Sequence, residues 1–263
     1  MKHLTQFITE YIVKKNLNKA IDSKDHYDYF PETKDELINN KKNLIKQDIY
    51  DFNCIDTSKI TDMSHLFDDI DINRNFDVSK WDVSNVENTS NMFYGCKKFE
   101  GKGLENWDVS NVTDMSYMFY YCENIDCDLL DWNVSNVVNM NMMFYNCKKF
   151  NCDLSNWDVS NVKTMNGMFD SCENFNCDLS KWNVSNAESM YEMFGNCKKF
   201  TGKGLENWDV SNVTNISYMF IGCENLICDL SDWDVSNVKD KNMELTFYKC
   251  NSLKNKPSWY NSK

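Results

Sequence analysis

The tryptophans of this chain stand at Trp81, Trp107, Trp132, Trp157, Trp182, Trp208, Trp233 and Trp259, at intervals of 26, 25, 25, 25, 26, 25 and 26 residues. A period of this length marks a repeat array, in which a unit that cannot bury its apolar face alone buries it against its neighbours. Chain length then counts stacked units rather than independent domains. The expected organisation is an N-terminal helical cap region over 1–53, an array of about eight units over 54–258, and a C-terminal tail over 259–263.

One unit reads Trp107-Asp108-Val109-Ser110-Asn111-Val112-Thr113-Asp114-Met115-Ser116-Tyr117-Met118-Phe119. Counted from the tryptophan as position 0, apolar residues recur at +2, +5, +8, +11, +12, +15, +18 and usually +22. Positions 0 and +2 alternate as a short strand does, whereas Val112, Met115, Met118, Phe119 and Cys122 have the spacing of one helical face. The junction Leu154-Ser155-Asn156-Trp157-Asp158-Val159 has leucine-rich-repeat spacing. The predicted fold is therefore an α/β repeat solenoid, leucine-rich-repeat-like, with one short parallel strand and one short helix per 25–26-residue unit and an N-terminal helical cap. The recurring Ser-Asn after the first valine is expected to cap the following helix and to stack as an asparagine ladder. Ser84 with Glu87, and Ser185 with Glu188, have capping-box spacing.

Ahead of the array, Leu4, Phe7, Ile8, Tyr11 and Ile12 form one stripe of an amphipathic helix over residues 4–21. Thr33 and Glu36 open a second helix, expected through about Ile49, with Leu37, Leu44 and Ile45 inward. Residues 54–67 are a degenerate first unit in which Ile55 takes the tryptophan position. The loops alternate Lys97-Lys98, Glu123-Asn124, Lys148-Lys149, Glu173-Asn174, Lys198-Lys199 and Glu224-Asn225, so stacking sets Lys beside Glu. Lys97–Val137 is echoed by Lys198–Val238, and Gly-Lys-Gly-Leu-Glu-Asn before Trp107 and Trp208 marks a bulged turn.

Forty acidic residues against twenty-eight basic ones, a net charge of −12, argue against nucleic acid as a partner. Catalysis finds little support. His3, His26 and His65 are the only histidines and none has a spaced partner, while the repeated carboxylates offer no pair that stands apart. Of twelve cysteines, Cys96, Cys122, Cys147, Cys172, Cys197, Cys223 and Cys250 lie at +15, where the leading reading is a packed core ladder. Cys127, Cys152, Cys177 and Cys228 at +20 keep redox-active thiols and a metal site open as alternatives, though tight Cys-x2-Cys pairs are missing. No cofactor and no metal is expected. The face opposite the core carries Asp82, Asp108, Asn133, Asp158, Asn183, Asp209 and Asp234 at +1, and this stripe is the expected contact surface for a protein partner. Plain solvation and calcium are its alternatives.

The motif W-D-V-S-N-V-x-x-M-x-x-M-F-x-x-C-x-x-F, at Trp157–Phe175 and with small changes in five other units, resembles the repeat of BspA-like leucine-rich-repeat surface proteins. The resemblance covers about residues 54–260. It implies a curved solenoid and a non-enzymatic, adhesin-like scaffold that binds host proteins; self-association as a structural repeat protein is the alternative. No secretory signal or apolar membrane span is read. The expected location is therefore cytoplasmic, with the cell surface as the family's alternative.

Overall fold

A computed structural model describes residues 27–68, 70 and 74–261; the helix read over residues 4–21 lies outside them. Its architecture follows from where the backbone amides go. In the unit that begins at Trp107, Met115, Tyr117, Phe119 and Tyr121 donate to the carbonyls of Asn139, Asn141, Met143 and Tyr145 in the next unit. The residues between them turn inward on their own unit: Met118 donates to Met115, Tyr120 to Tyr117 and Cys122 to Phe119. The segment is thus a ribbon of overlapping turns in which every second amide ties one unit to the next.

This overturns the predicted α/β solenoid with a strand and a helix in each unit. Two residues per unit, at +10 and +14, are left-handed: Tyr117 and Tyr121, Met142 and Asn146, Gly167 and Ser171, Glu192 and Asn196 have φ between 51° and 60°. A right-handed helix cannot pass through such a residue, so the helix is broken twice within five residues. The strand fails for a related reason. Trp107 is extended, with φ −74° and ψ 130°, but its amide closes a turn onto Leu104 O instead of joining a ladder. Among the described residues, parallel pairing is confined to single bridges, including Asp62 to Asn88, Asn88 to Asp114, Asp114 to Asn139, Asn139 to Thr164 and Thr164 to Ser189. Among the described residues, helix is limited to α1 (Lys34–Lys46), α2 (Ser258–Asn261) and three 3-10 turns, Leu104–Asn106, Leu205–Asn207 and Asp240–Asn242.

The buried columns are those of the sequence pattern. Val112, Met115, Met118, Phe119, Cys122 and Ile125 are fully buried, as are their counterparts in the four units that begin at Trp132, Trp157, Trp182 and Trp208. Each phenylalanine at +12 stacks on the next: from Phe67 through Phe93, Phe119, Phe144, Phe169, Phe194 and Phe220 to Phe247 the ring centroids are 5.4–5.8 Å apart. Trp132, Trp157, Trp182 and Trp208 stack at 6.3–6.5 Å with planes within 2° of parallel. Stacked rings add about 0.5–1.5 kcal/mol per pair beyond the area they bury. Every indole N–H is satisfied by a carbonyl 28 or 29 residues back, as in Trp157 to Leu129 O at 2.8 Å and Trp208 to Leu179 O at 3.2 Å.

Both ends of the stack are finished differently. Helix α1 starts where Thr33 Oγ1 accepts from the Glu36 amide at 3.3 Å and stops at Lys46, three residues short of the boundary read from sequence. It lies over the first unit: Leu37 and Leu44 are buried, Lys34 Nζ donates to Asp62 Oδ2 and Ser64 Oγ, and buried Lys41 donates to Leu66 O. Lysine side chains thus supply donors to the edge of the first unit, where no preceding repeat does. At the other end the residues read as a tail begin with the single turn α2, whose Trp259 stacks on Trp233 at 6.4 Å.

Candidate functional site

The Val-Ser-Asn corner is built by two bonds. Ser110 N–H donates to Asp108 Oδ1 at 3.0 Å, an Asx turn, and Val112 N–H donates to Val109 O at 3.0 Å. The same Asx turn recurs at Asp82, Asn133, Asp158, Asn183, Asp209 and Asp234, each accepting from a serine amide at 3.0–3.2 Å. Serine does not cap a following helix at Ser84 or Ser185 or elsewhere in the array, since no helix follows; the Asx turn takes the place of the cap. All seven side chains of the +1 stripe are exposed in one row, each fixed by one oxygen. Hydrogen bonds from Ser110, Ser160 and Ser211 hold Asp108, Asp158 and Asp209 below the ordinary carboxylate range. These three carboxyls are therefore ionised over the physiological range.

Beside this row runs the asparagine ladder. Asn85, Asn111, Asn136, Asn161, Asn186, Asn212 and Asn237 each donate through Nδ2 to the serine carbonyl of the preceding unit at 2.6–2.8 Å. A shallow groove follows its start, lined by Asn85, Asn111 and Asn136 with Lys59, Glu87 and Thr113. On the loop edge Glu123 bridges Lys97 and Lys148, both at 3.1 Å, and Glu173 pairs with Lys198 at 3.0 Å.

All twelve cysteines are free thiols. Those at +15 do more than pack. Cys122, Cys147, Cys172, Cys197 and Cys223 each donate Sγ–H to the phenylalanine carbonyl of the preceding unit at 2.9–3.0 Å. Burial pushes these thiols well above their usual range, so they are held as neutral donors and poor nucleophiles. Among the described residues no group of three or more His, Cys, Asp and Glu side chains is arranged to hold a metal.

Two features lie on the turn ribbon, which was not read as a functional face. Tyr94, Tyr120 and Tyr145 form an outer column with centroids 4.6 and 4.8 Å apart. The column ends at Asp170, 2% exposed, where a carboxyl pair stands apart from the other repeated carboxylates. Asp170 Oδ1 accepts from Ser171 Oγ at 2.7 Å and Asn196 Nδ2 at 3.2 Å. A Cβ on Gly195 would lie 3.0 Å from Glu192 Cγ and 3.1 Å from Asp170 Cγ, so both acids converge on that gap. Burial first, and then the charge of Asp170, raise Glu192 to about 7; burial also raises Asp170. The signal was available in the aligned columns. In the units that begin at Trp81 to Trp208, position +13 otherwise holds Tyr94, Tyr120, Tyr145, Gly195 and Ile221, and position +10 holds Asn91, Tyr117, Met142, Gly167 and Tyr218, so one acid in each is an anomaly.

Folding therefore takes up a proton at this pair between the ordinary carboxylate value, 4.5 for a glutamate, and about 7. Stability contributed by the pair is present below that window and is lost as pH rises through it. With the partial exposure of Glu192 discounted for solvent screening, the loss is about 1–2 kcal/mol. Asp170→Asn should remove the part that Asp170 contributes and leave the part due to burial: urea midpoints at pH 5 and pH 8 will differ less in the variant than in the parent, and an equal difference refutes the coupling of the two acids.

A family described as Mycoplasma protein of unknown function, DUF285, matches the chain three times, over residues 32–103, 91–204 and 199–263. No curated protein matches the chain, and no solved structure does. No described helix is long and apolar enough to cross a membrane.

Proposed function

Because the chain belongs to the DUF285 family of Mycoplasma proteins of unknown function, we propose that it is a non-catalytic scaffold that binds a protein partner through the exposed Asp/Asn stripe. One observation carries the reading: seven acidic or amide side chains recur in a single row, each pinned by an Asx turn to Ser84, Ser110, Ser135, Ser160, Ser185, Ser211 or Ser236. A surface whose rotamers are already fixed loses little entropy on association. Regular anionic spacing suits a partner with a repeated basic or amide face. The likeness to BspA-like surface repeats adds host proteins as the partner class. Open-ended stacking of copies, the rival reading, is disfavoured by the lysines that occupy the edge of the first unit.

Asn133 and Asn183 already close the same turn without charge, so Asp108→Asn, Asp158→Asn and Asp209→Asn together remove three charges and keep the corners. Capture of the chain on immobilised host extracellular-matrix proteins should fall at least tenfold, with the unfolding midpoint little changed. Undiminished capture by the triple variant, or no capture by the parent, would reject the stripe as the contact face.

A further inference from the structure

Between +8 and +14 of the six units from Trp81 to Trp208, the only charged residues are Asp170 and Glu192. Apart from these two, Met142 and Ile221, every residue at +10, +13 and +14 is Tyr, Ser, Asn or Gly. Antibody paratopes have this composition, because tyrosine supplies broad contact at small entropic cost and the small polar residues supply adaptable hydrogen bonds. The rings are already set in place. Tyr120 is surrounded by Tyr94, Tyr117, Tyr121 and Tyr145 at centroid distances of 4.6–5.6 Å. Tyr94 is 40% exposed and the other four are half-buried, so the cluster meets solvent across three consecutive units.

The charge at one end of the cluster selects the occupant. Among the described residues neither Asp170 nor Glu192 pairs with a lysine or arginine, whereas Glu123 and Glu173 on the loop edge both do. Glu192 is half-buried and reaches solvent. The other titratable groups against the pair are the phenols of Tyr145 and Tyr191 and the thiols of Cys172, Cys197 and Cys223, each raised first by burial and so neutral up to pH 8. Arginine suits both neighbours, since its planar guanidinium forks onto carboxyl oxygens and lies against aromatic rings. We propose that the tyrosine cluster and the Asp170–Glu192 pair together form an interaction surface for an extended, arginine-bearing segment of a partner protein, with the guanidinium at the carboxyls and the flanking residues on the rings. A guanidinium favours the ionised acids, so association releases the proton that the pair holds near neutrality, and affinity rises with pH.

The test uses the full chain and a fluorescein-labelled Pro-Arg alternating decapeptide, which proline keeps extended. The same peptide with citrulline for arginine is the uncharged control. Anisotropy should show saturable binding of the arginine peptide, weakened at least tenfold by citrulline and at least fivefold by Glu192→Gln or by Tyr94→Ser. Binding to the parent should tighten at least fivefold from pH 5.5 to pH 8, and Glu192→Gln should flatten that slope. Contact through Asp108, Asp158 and Asp209 would give no slope, because those carboxyls stay ionised throughout. The Asp108→Asn, Asp158→Asn, Asp209→Asn variant should bind the peptide within twofold of the parent, so this surface and the stripe stand or fall separately. No binding at millimolar concentration, equal binding of the citrulline peptide, unchanged affinity in both single variants, or a flat pH dependence in the parent would overturn the proposal.

Discussion

Phe169→Ala should lower the stability of the array by about 3–5 kcal/mol, the cost of emptying a phenylalanine-sized site in a packed core. The residue is fully buried and its ring meets Phe144 at 5.8 Å, Phe175 at 4.1 Å and Phe194 at 5.7 Å. The loss therefore falls on two junctions at once. In a stack held by nearest-neighbour contacts, weakening adjacent junctions near the middle uncouples the flanks. Urea unfolding should show a lower midpoint and a broader transition than for Phe247→Ala at the end of the column. A loss below 1 kcal/mol would contradict the continuous aromatic column.

Gly204→Ala is the second large effect, expected at about 3 kcal/mol or more. Gly204 opens the 3-10 turn that absorbs the extra residue of a 26-residue interval, with φ 94°. A Cβ there would lie 2.2 Å from Ser180 N and 2.6 Å from Ser180 Cα, which are backbone atoms of the neighbouring unit and cannot swing aside. Gly95→Ala separates the two causes. It is also left-handed, with φ 74°, but a Cβ would meet nothing within 4 Å, so it should cost only the conformational part, about 1–2 kcal/mol. Equal thermal shifts for the two variants would mean that the close approach at Ser180 carries no energy.

Inside and outside were legible in the residues, and backbone path was not. Val112, Met115, Met118, Phe119 and Cys122 point inward both on a helix and on a ribbon of turns, because either path returns a side chain to the same face after three or four residues. Apolar spacing alone could not separate them. The discriminating residues were present at +10 and +14, where Asn91, Gly95, Asn146, Gly167, Asn196 and Gly222 are the types that tolerate φ above zero. Tyr117, Met142 and Glu192 occupy the same positions and mask the pattern. The asparagine ladder and the Lys–Glu edge were readable because both depend only on the period. Asp170 and Glu192 belong to different units and different columns, and only the stacking offset that brings +13 of one unit beside +10 of the next makes them a pair. The stripe was placed correctly on the outside, but its aspartates also shape the corners, a duty that becomes visible only when the serine amides are located.

The four amide bonds at each junction have a consequence for how such a chain can change over generations. The interfaces between the units that begin at Trp81 and Trp208 use donors and acceptors at the same offsets, so a block cut out at one of these tryptophans and rejoined at another restores a junction of the same kind. The echo of Lys97–Val137 in Lys198–Val238 is the trace of such a copying. Length is then nearly neutral within the array, because adding or removing a whole block leaves every remaining junction as it was.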